Sequence, residues 1–451
     1  MPERDQCTWN SMVSGFAQRN RCEEALRYLA SMHKEGFSLN EYSLASGLSA
    51  CSSLSDVNRG VQIHSLIAKS PPLLSDVHIG SALVDMYSKC GHVDEAQHCF
   101  DELCGYRNVV TWNSLITCYE QNGPVEEALS VFNLMLRSGF EPDEVTLASV
   151  ISACASLSAL KVGREVHGRV AKDVKLRNDI ILSNAFVDMY AKCGCVEDGY
   201  LVFRKMVERD RVSWNAMIIG FAQNGYGNEA LELFREMLGG SGEKPDHITM
   251  IGVLSACGHT GLVDEGRRYF SSMARDFGVA PLRDHYTCMV DLLGRAGFLE
   301  EAKSMIEEEM PMEPDSVIWG SLLGACKVHR NITLGKYVAE KLLEVETSSN
   351  SGPYVLLSNM YAENGQWEDV MNVRKSMRRE GVTKQPGFSW IEIQGRSHVF
   401  MVKDKRHPRK KQIHSLLDVL IAEMRQEHAE TGPLSSEEMD YSSSILWETA
   451  M

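Results

Sequence analysis

The sequence predicts an all-α solenoid of helix-turn-helix repeats, and three observations lead there. The stretch TWNSLITCYEQNG at Thr111–Gly123 returns as SWNAMIIGFAQNG at Ser213–Gly225 and as TWNSMVSGFAQRN at Thr8–Asn20, with Trp9, Trp112 and Trp214 standing 103 and 102 residues apart. Within the first copy, Trp112, Leu115, Ile116 and Tyr119 fall at i, i+3, i+4 and i+7, which is one face of a helix. After Gly123 and Pro124 the same spacing resumes through Val125, Ala128, Leu129, Phe132 and Met135 and ends at Gly139, making a helical hairpin. Neither helix can bury its apolar face alone. Such hairpins must stack, and self-similarity at a fixed period is the sequence mark of a solenoid.

Cutting at these landmarks gives units 6–40, 41–76 and 77–108, of 35, 36 and 32 residues. A second triplet follows at 109–143, 144–179 and 180–210, of 35, 36 and 31 residues, and a third at 211–246, 247–284 and 285–315. The 103-residue interval is therefore a set of three unlike hairpins. A tetratricopeptide array, whose unit is constant at about 34 residues, does not fit this alternation.

With 451 residues and 44% hydrophobic content the chain can bury a substantial core. It contains no run of about 18 apolar residues, and its start resembles neither a signal peptide nor an Arg/Ser-rich presequence. The net charge of −15 argues at face value against a nucleic-acid partner. Its location weakens that objection. Glu23-Glu24, Asp94-Glu95, Glu126-Glu127, Glu197-Asp198, Asp264-Glu265 and Glu300-Glu301 each open a helical pattern, where the helix dipole favours negative charge. The thirteen cysteines include no CxxC pair, so neither a zinc site nor a disulfide framework is expected. Cys51, Cys154, Cys257 and Cys326 recur in an "AC" after an apolar run, and Cys90 and Cys193 recur in "KCG", as small buried structural thiols.

The order of motifs resembles the plant pentatricopeptide repeat (PPR) proteins of the PLS class, E/E+ subgroup, over about residues 1 to 425. P-type motifs carry Trp9-Asn10, Trp112-Asn113 and Trp214-Asn215. L-type motifs carry "LSAC" or "ISAC" followed by "GVQIH" or "GREVH", and S-type motifs carry "ALVDMYSKCG", "AFVDMYAKCG" and "MVDLLGRAG". Residues 316–387 resemble the two helical hairpins of the E region, and 388–430 the E+ extension. Independently of any family, Trp390–Ile393 and Val399–Val402 read as a hairpin of strands and Lys411–Glu427 as a closing helix. The Ser- and acid-rich stretch 431–451 reads as a disordered tail. "MPERD" is similar to the end of an S-type motif, so Met1 is expected to stand inside a longer array.

The resemblance implies a right-handed α-solenoid that binds single-stranded RNA, with a small C-terminal α/β extension. Helical-repeat RNA readers present two or three side chains per unit to one base. A short polar group early in the first helix suits this task, because Asn offers both donor and acceptor to a base edge. The family's recognition pair is the fifth and last residue of a motif, which maps onto Asn10 with Asn40, Ser81 with Asn108, Asn113 with Asp143, Asn184 with Asp210, and Asn215 with Asp246. The implied bases are pyrimidine, adenine, uridine, uridine and uridine, or 5′ Y-n-A-U-n-U-U with an unread base under each L-type motif.

Departures are expected at Met289, taken as the fifth residue of the last S-type motif, and at the L-type residues Ala45, Ala148 and Ile251. Val110, Ile181 and Val212 fit the apolar second position that packs on a base face, whereas Cys7 and His78 do not. His64 and His167 recur as packing residues.

The zinc deaminase of some family members needs H-x-E and C-x-x-C motifs, and the H-x-E at His33–Glu35 has no C-x-x-C partner. No catalytic residue, metal or cofactor is expected. The resemblance implies a site-recognition factor for C-to-U editing of organellar transcripts, recruiting in trans a deaminase-bearing PPR protein and other editing cofactors. The organelle expected is the mitochondrion, with the chloroplast as the alternative. The basic stretch Lys403–Lys411 is a candidate phosphate or partner contact without an assigned site. Two other readings stay open: an RNA stabilisation or processing factor without editing, and a protein-binding scaffold.

Overall fold

The computed structural model describes residues 5–74, 76–103, 105–240, 242–345, 350–383, 387–393, 396–401 and 407–430. The expected tail at 431–451 and the first part of the basic stretch, 403–406, lie outside them. The chain divides into two compact units, Met1–Val345 and Glu346–Met451.

The first unit is a run of helical hairpins. Its first triplet comprises α1 (Gln6–Gln18) with α2 (Cys22–Lys34), α3 (Glu41–Leu54) with α4 (Val57–Ile67), then the one-turn α5 (Pro71–Leu74), and α6 (Val77–Lys89) with α7 (Val93–Glu102). The second pairs α8 (Val109–Asn122) with α9 (Val125–Arg137), α10 (Glu144–Ser156) with α11 (Leu160–Lys172), and α12 (Ile180–Lys192) with α13 (Val196–Lys205). The third pairs α14 (Arg211–Gln223) with α15 (Gly227–Gly240), α16 (His247–Thr260) with α17 (Val263–Asp276), and α18 (Arg283–Arg295) with α19 (Leu299–Ser304), which runs into a π-helical turn at Met305–Glu309. A further hairpin, α20 (Ser316–Val328) and α21 (Ile332–Val345), ends the unit. Each first helix packs on the first helix of the next hairpin, whereas each second helix packs on its own first helix and the following one. The first helices lie closest together, so they line the inside of the array.

Tryptophan explains one seam of each triplet. Trp112 on α8 meets Phe100 of α7 edge-on at 4.8 Å between centroids, and Trp214 on α14 meets Phe203 of α13 in the same way at 5.1 Å. Both indoles are buried, so each P-type hairpin is wedged onto the S-type hairpin before it. Trp9 packs instead within its own repeat, against Tyr28 and Phe37. In the S-type hairpins the turn falls on Gly91, Gly194 and Gly297, whose φ values of 77°, 74° and 84° lie where a side chain is strained.

The second unit contains α22 (Gly352–Glu363) and α23 (Trp367–Arg379), then β1 (Phe388–Ile393) and β2 (Arg396–Met401), and last α24 (Lys410–Glu430). The strands are antiparallel, with Phe388 opposite Met401 and Ile393 opposite Arg396. Val402, the expected end of the second strand, lies outside the described residues. No helix among the described residues is long and apolar enough to cross a membrane.

One expected boundary is corrected. The cut between Asp284 and His285 falls inside α18, which starts at Arg283 with Leu282 as its N-cap residue. Leu282 has no side chain that can cap, so His285 reaches back: its Nδ1 accepts from the Leu282 N–H at 2.9 Å, and its Nε2–H donates to the His247 carbonyl at 2.9 Å. The L-type unit therefore ends at 282, which gives it the 36 residues of the other two, and the last S-type unit spans 283–315.

Close packing of neighbouring repeats yields a first prediction. A Cβ on Gly227, at the start of α15, would stand 2.8 Å from the Ala256 carbonyl oxygen of α16, which a helix backbone cannot move away. Gly227→Ala is expected to lower stability by about 1–3 kcal/mol through overpacking, measured as a lower urea midpoint at unchanged m-value.

Candidate nucleic-acid interface

Five first helices of the array begin with the same device. Asn40, Asn108, Asp143, Asp210 and Asp246 stand at the N-caps of α3, α8, α10, α14 and α16. Their side chains accept from the backbone N–H of Ser43, Thr111, Thr146, Ser213 and Thr249 at 2.8–3.1 Å. The hydroxyls of those residues accept in return from the cap N–H at 3.0–3.4 Å. This reciprocal box satisfies N–H groups that a helix start otherwise leaves unpaired. Sequence reasoning missed it, although Asn/Asp-x-x-Ser/Thr stands plainly at 40–43, 108–111, 143–146, 210–213 and 246–249.

Position five of one repeat meets the cap of the next. The Asn113 amide donates to both carboxylate oxygens of Asp143 at 2.9 and 3.0 Å, Asn184 donates to Asp210 at 3.2 Å, and Asn215 donates to Asp246 at 3.0 Å. The Ser81 hydroxyl, which donates to the Val77 carbonyl at 2.8 Å, lies 3.3 Å from Asn108 Oδ1 and 2.7 Å from the Thr111 hydroxyl. The structure thus brings four of the five expected pairs together. Among the described residues no hydrogen bond joins Asn10 to Asn40, and Asn10 Oδ1 is buried without a partner. With the corrected boundary, position five of the last S-type repeat is Thr287, which donates to the Arg283 carbonyl as Ser81 does to Val77. Met289 is instead a fully buried core residue.

Position two lies three residues earlier, on the same helix face. Tyr42, Val110, Val145, Ile181, Val212 and Val317 are each more than half exposed there, and Ile248 more than a third. Seven apolar side chains thus face solvent in one register of successive first helices. Val110, Ile181 and Val212 are expected from sequence; Tyr42, Val145, Ile248 and Val317 extend the line through the L-type repeats and the hairpin after the array. Cys7 and His78 interrupt it with exposed side chains that are not hydrocarbon.

The acidic pairs occupy first turns of second helices, away from this face. Several are held by an arginine of a neighbouring repeat: Arg59 to Glu23 at 2.8 Å, Arg164 to Asp198 at 2.7 Å and Arg267 to Glu301 at 2.7 Å. The cap carboxyls behave differently. Burial pushes the pKa of Asp143, Asp210 and Asp246 upward, but the N–H and hydroxyl of the residue three places on, together with the facing Asn amide, more than reverse it, and all three sit below their ordinary value. His64 and His167 are half-buried and share hydrogen bonds of 2.9 Å with the Tyr87 and Tyr190 hydroxyls; burial lowers the pKa of both. No cluster of His, Cys, Asp and Glu among the described residues could hold a metal ion.

A pentatricopeptide repeat-containing protein of Arabidopsis thaliana is 64% identical, the match covering 96% of this chain and 82% of the relative. The chain belongs to the pentatricopeptide repeat family. Models of the PPR repeat match residues 7–37, 81–107, 181–211, 212–240, 248–276 and 284–308, and one of the PPR repeat family matches 107–156. A model of the E motif matches 329–392, which fits the E subgroup of the PLS class. Another Arabidopsis thaliana relative, labelled mitochondrial, is 42% identical over 93% of this chain and 65% of its own length. Among solved structures, the pentatricopeptide repeat protein PPR10 in complex with an 18-nt psaJ RNA element superposes with a TM-score of 0.62 at 17% identity. That match covers 83% of this chain and 61% of the solved one, so this PPR chain spans about three fifths of that protein. Maize PPR10 gives a TM-score of 0.54 at 16% identity, over 84% and 59% of the two chains. The likeness is one of fold.

Two predictions follow from the caps. Asp246→Ala is expected to cost about 0.5–2 kcal/mol, seen as a lower Tm, while Asp246→Ser, which keeps a capping oxygen, costs less. The carboxyls of Asp143, Asp210 and Asp246 have folded pKa values below the unfolded one, so their stabilisation is complete above about pH 4 and is lost as pH falls through the lowered folded values. Tm measured from pH 6 down to pH 2 should fall on the acid side, and less steeply when all three are changed to Asn.

Proposed function

We propose that this PPR chain is a sequence-specific single-stranded RNA-binding protein that selects sites for C-to-U editing of organellar transcripts. Its E and E+ regions recruit a deaminase carried by another protein. The observation that carries the reading is the recurrence, in repeats 109–143, 180–210 and 211–246, of a solvent-facing apolar residue at position two (Val110, Ile181, Val212) beside a hydrogen-bonding asparagine at position five (Asn113, Asn184, Asn215). Unstacked bases need both a face to pack on and an edge to pair with, and these three repeats supply one of each. A protein-binding scaffold has no use for that regularity. The PPR10 structure solved with an RNA element supports the same use of the same fold, and the relative labelled mitochondrial supports an organellar address.

The reading pairs are Asn10 with Asn40, Ser81 with Asn108, Asn113 with Asp143, Asn184 with Asp210, and Asn215 with Asp246, with the implied target 5′ Y-n-A-U-n-U-U. The corrected register adds Thr287 with Asp315, the N-cap of α20, as a sixth pair of polar groups. L-type repeats carry Ala45, Ala148 and Ile251 at position five, which offer no hydrogen bond, yet Tyr42, Val145 and Ile248 give their bases a face to pack on.

Selection of the full chain against a randomised single-stranded RNA pool at moderate salt should enrich Y-n-A-U-n-U-U. Changing Asn113 and Asp143 together to Ala should erase the uridine preference at that position alone. Tight binding without the pattern would sink the assignment of bases, and absence of binding would favour the scaffold. Deleting residues 388–430 should abolish editing of the target in a complemented plant line while leaving RNA affinity intact; editing that persists would point instead to a transcript stabilisation or processing factor.

A further inference from the structure

We propose that Thr146 and Thr249 are positioning residues that lock the reading amides of Asn113 and Asn215 in one orientation and so favour uridine over cytidine at those two positions. The inference rests on the proposed reading of RNA by the array and adds a third residue, from the following helix, to each pair.

An asparagine amide has a donating end and an accepting end, and rotating it by a half turn exchanges them. A carboxylate can only accept. Nδ2 of Asn113 must therefore face Asp143, and Nδ2 of Asn215 must face Asp246, as observed at 2.9–3.0 Å. The other end is held as well. The Thr146 hydroxyl shares its proton between Asn113 Oδ1 and Asp143 Oδ1, and the Thr249 hydroxyl donates to Asn215 Oδ1 at 2.6 Å with Asp246 Oδ1 farther away at 3.0 Å. Both threonines are fully buried, and branching at Cβ restricts their side-chain rotation. Turning either amide over would set a carbonyl oxygen against a carboxylate and force the threonine hydroxyl to accept from position five where it now donates.

The other reading positions show what the threonine adds. Thr111, the counterpart one S-type repeat earlier, also reaches position five, at 2.7 Å from the Ser81 hydroxyl. Where the counterpart is serine, no such contact forms. The Ser213 hydroxyl donates to Asp210 at 2.9 Å, a contact Thr146 and Thr249 also make with Asp143 and Asp246, but it does not reach Asn184 Oδ1, which is left without a partner in a residue only 8% exposed. Asn10, whose counterpart is Ser43, likewise has a buried Oδ1 without a partner. Threonine clamps and serine does not.

A fixed amide can distinguish the two pyrimidines. Uracil presents a carbonyl acceptor at C4 beside an N3–H donor, whereas cytosine presents an amino donor beside an N3 acceptor. With both ends tied, each clamped amide retains one N–H and one lone pair in a set order. That order matches one of the two edges, and only a turned amide matches the other.

The test uses the full chain and short RNAs carrying Y-n-A-U-n-U-U, with each uridine replaced in turn by cytidine. Ser213→Thr should raise the uridine-to-cytidine affinity ratio at the Asn184 position about three- to tenfold, the range one hydrogen bond supports, and leave the Asn113 position unchanged. Thr146→Ser, which keeps the capping hydroxyl, should lower the ratio at the Asn113 position towards that seen opposite Asn184. Ratios unmoved by both changes, in a protein that binds the parent RNA, would overturn the clamp. If the parent protein does not bind that RNA, the reading of RNA fails instead, and the clamp is decided by Tm: Ser213→Thr should raise it by satisfying Asn184 Oδ1, and no rise would overturn the contact.

Discussion

Every first helix in this array has to satisfy the N–H groups of its opening turn, and the rest of the inner surface follows from how it does so. The cap comes from the last residue of the repeat before, which is fixed where two hairpins meet. Because capping calls for a short polar side chain, here Asn or Asp, such a group is held half-buried beside position five of its own repeat. A requirement of backbone hydrogen bonding thus places the groups that a base edge can address. Where the cap fails, as at Leu282, a buried histidine takes over the task and the register of the repeat becomes hard to see.

Packing and charge divide the molecule consistently with that constraint. Apolar faces are spent between hairpins, with Trp112 and Trp214 closing the seams onto preceding S-type repeats. Carboxylates that open the second helices lie on the opposite side, where they serve the helix dipole and neighbouring arginines. Much of the net charge of −15 therefore belongs to the second helices, while the cap carboxyls Asp143, Asp210 and Asp246 stand on the inner face, each neutralised in part by hydrogen bonds from the helix it opens and from position five.

Much of this was legible in the sequence, since a 3.6-residue period and recurring turns survive without tertiary information. The hairpins, the alternating lengths and the Trp-Asn register are all written in near-identical words. Two things were not. The last L-type boundary was misread because Asp284 offers a plausible terminal residue while the true cap position holds Leu282, so Met289 was given a place that belongs to Thr287. The apolar line at position two was only half visible, because Tyr42, Val145 and Ile248 occur in repeats whose fifth residues are mute, and exposure is a property of the folded array.

The sharing of each site between consecutive repeats also bears on how such an array can be recombined. The groups around Asn113 are Asp143, thirty residues on, and Thr146, which already belongs to the following hairpin. The portable module is consequently offset from the structural one: a segment moved with this hydrogen-bonded group intact must extend into the first turn of the next helix, to the residue that closes the cap box. A splice at the loop, natural or engineered, cuts through this hydrogen-bonded group while leaving both hairpins whole.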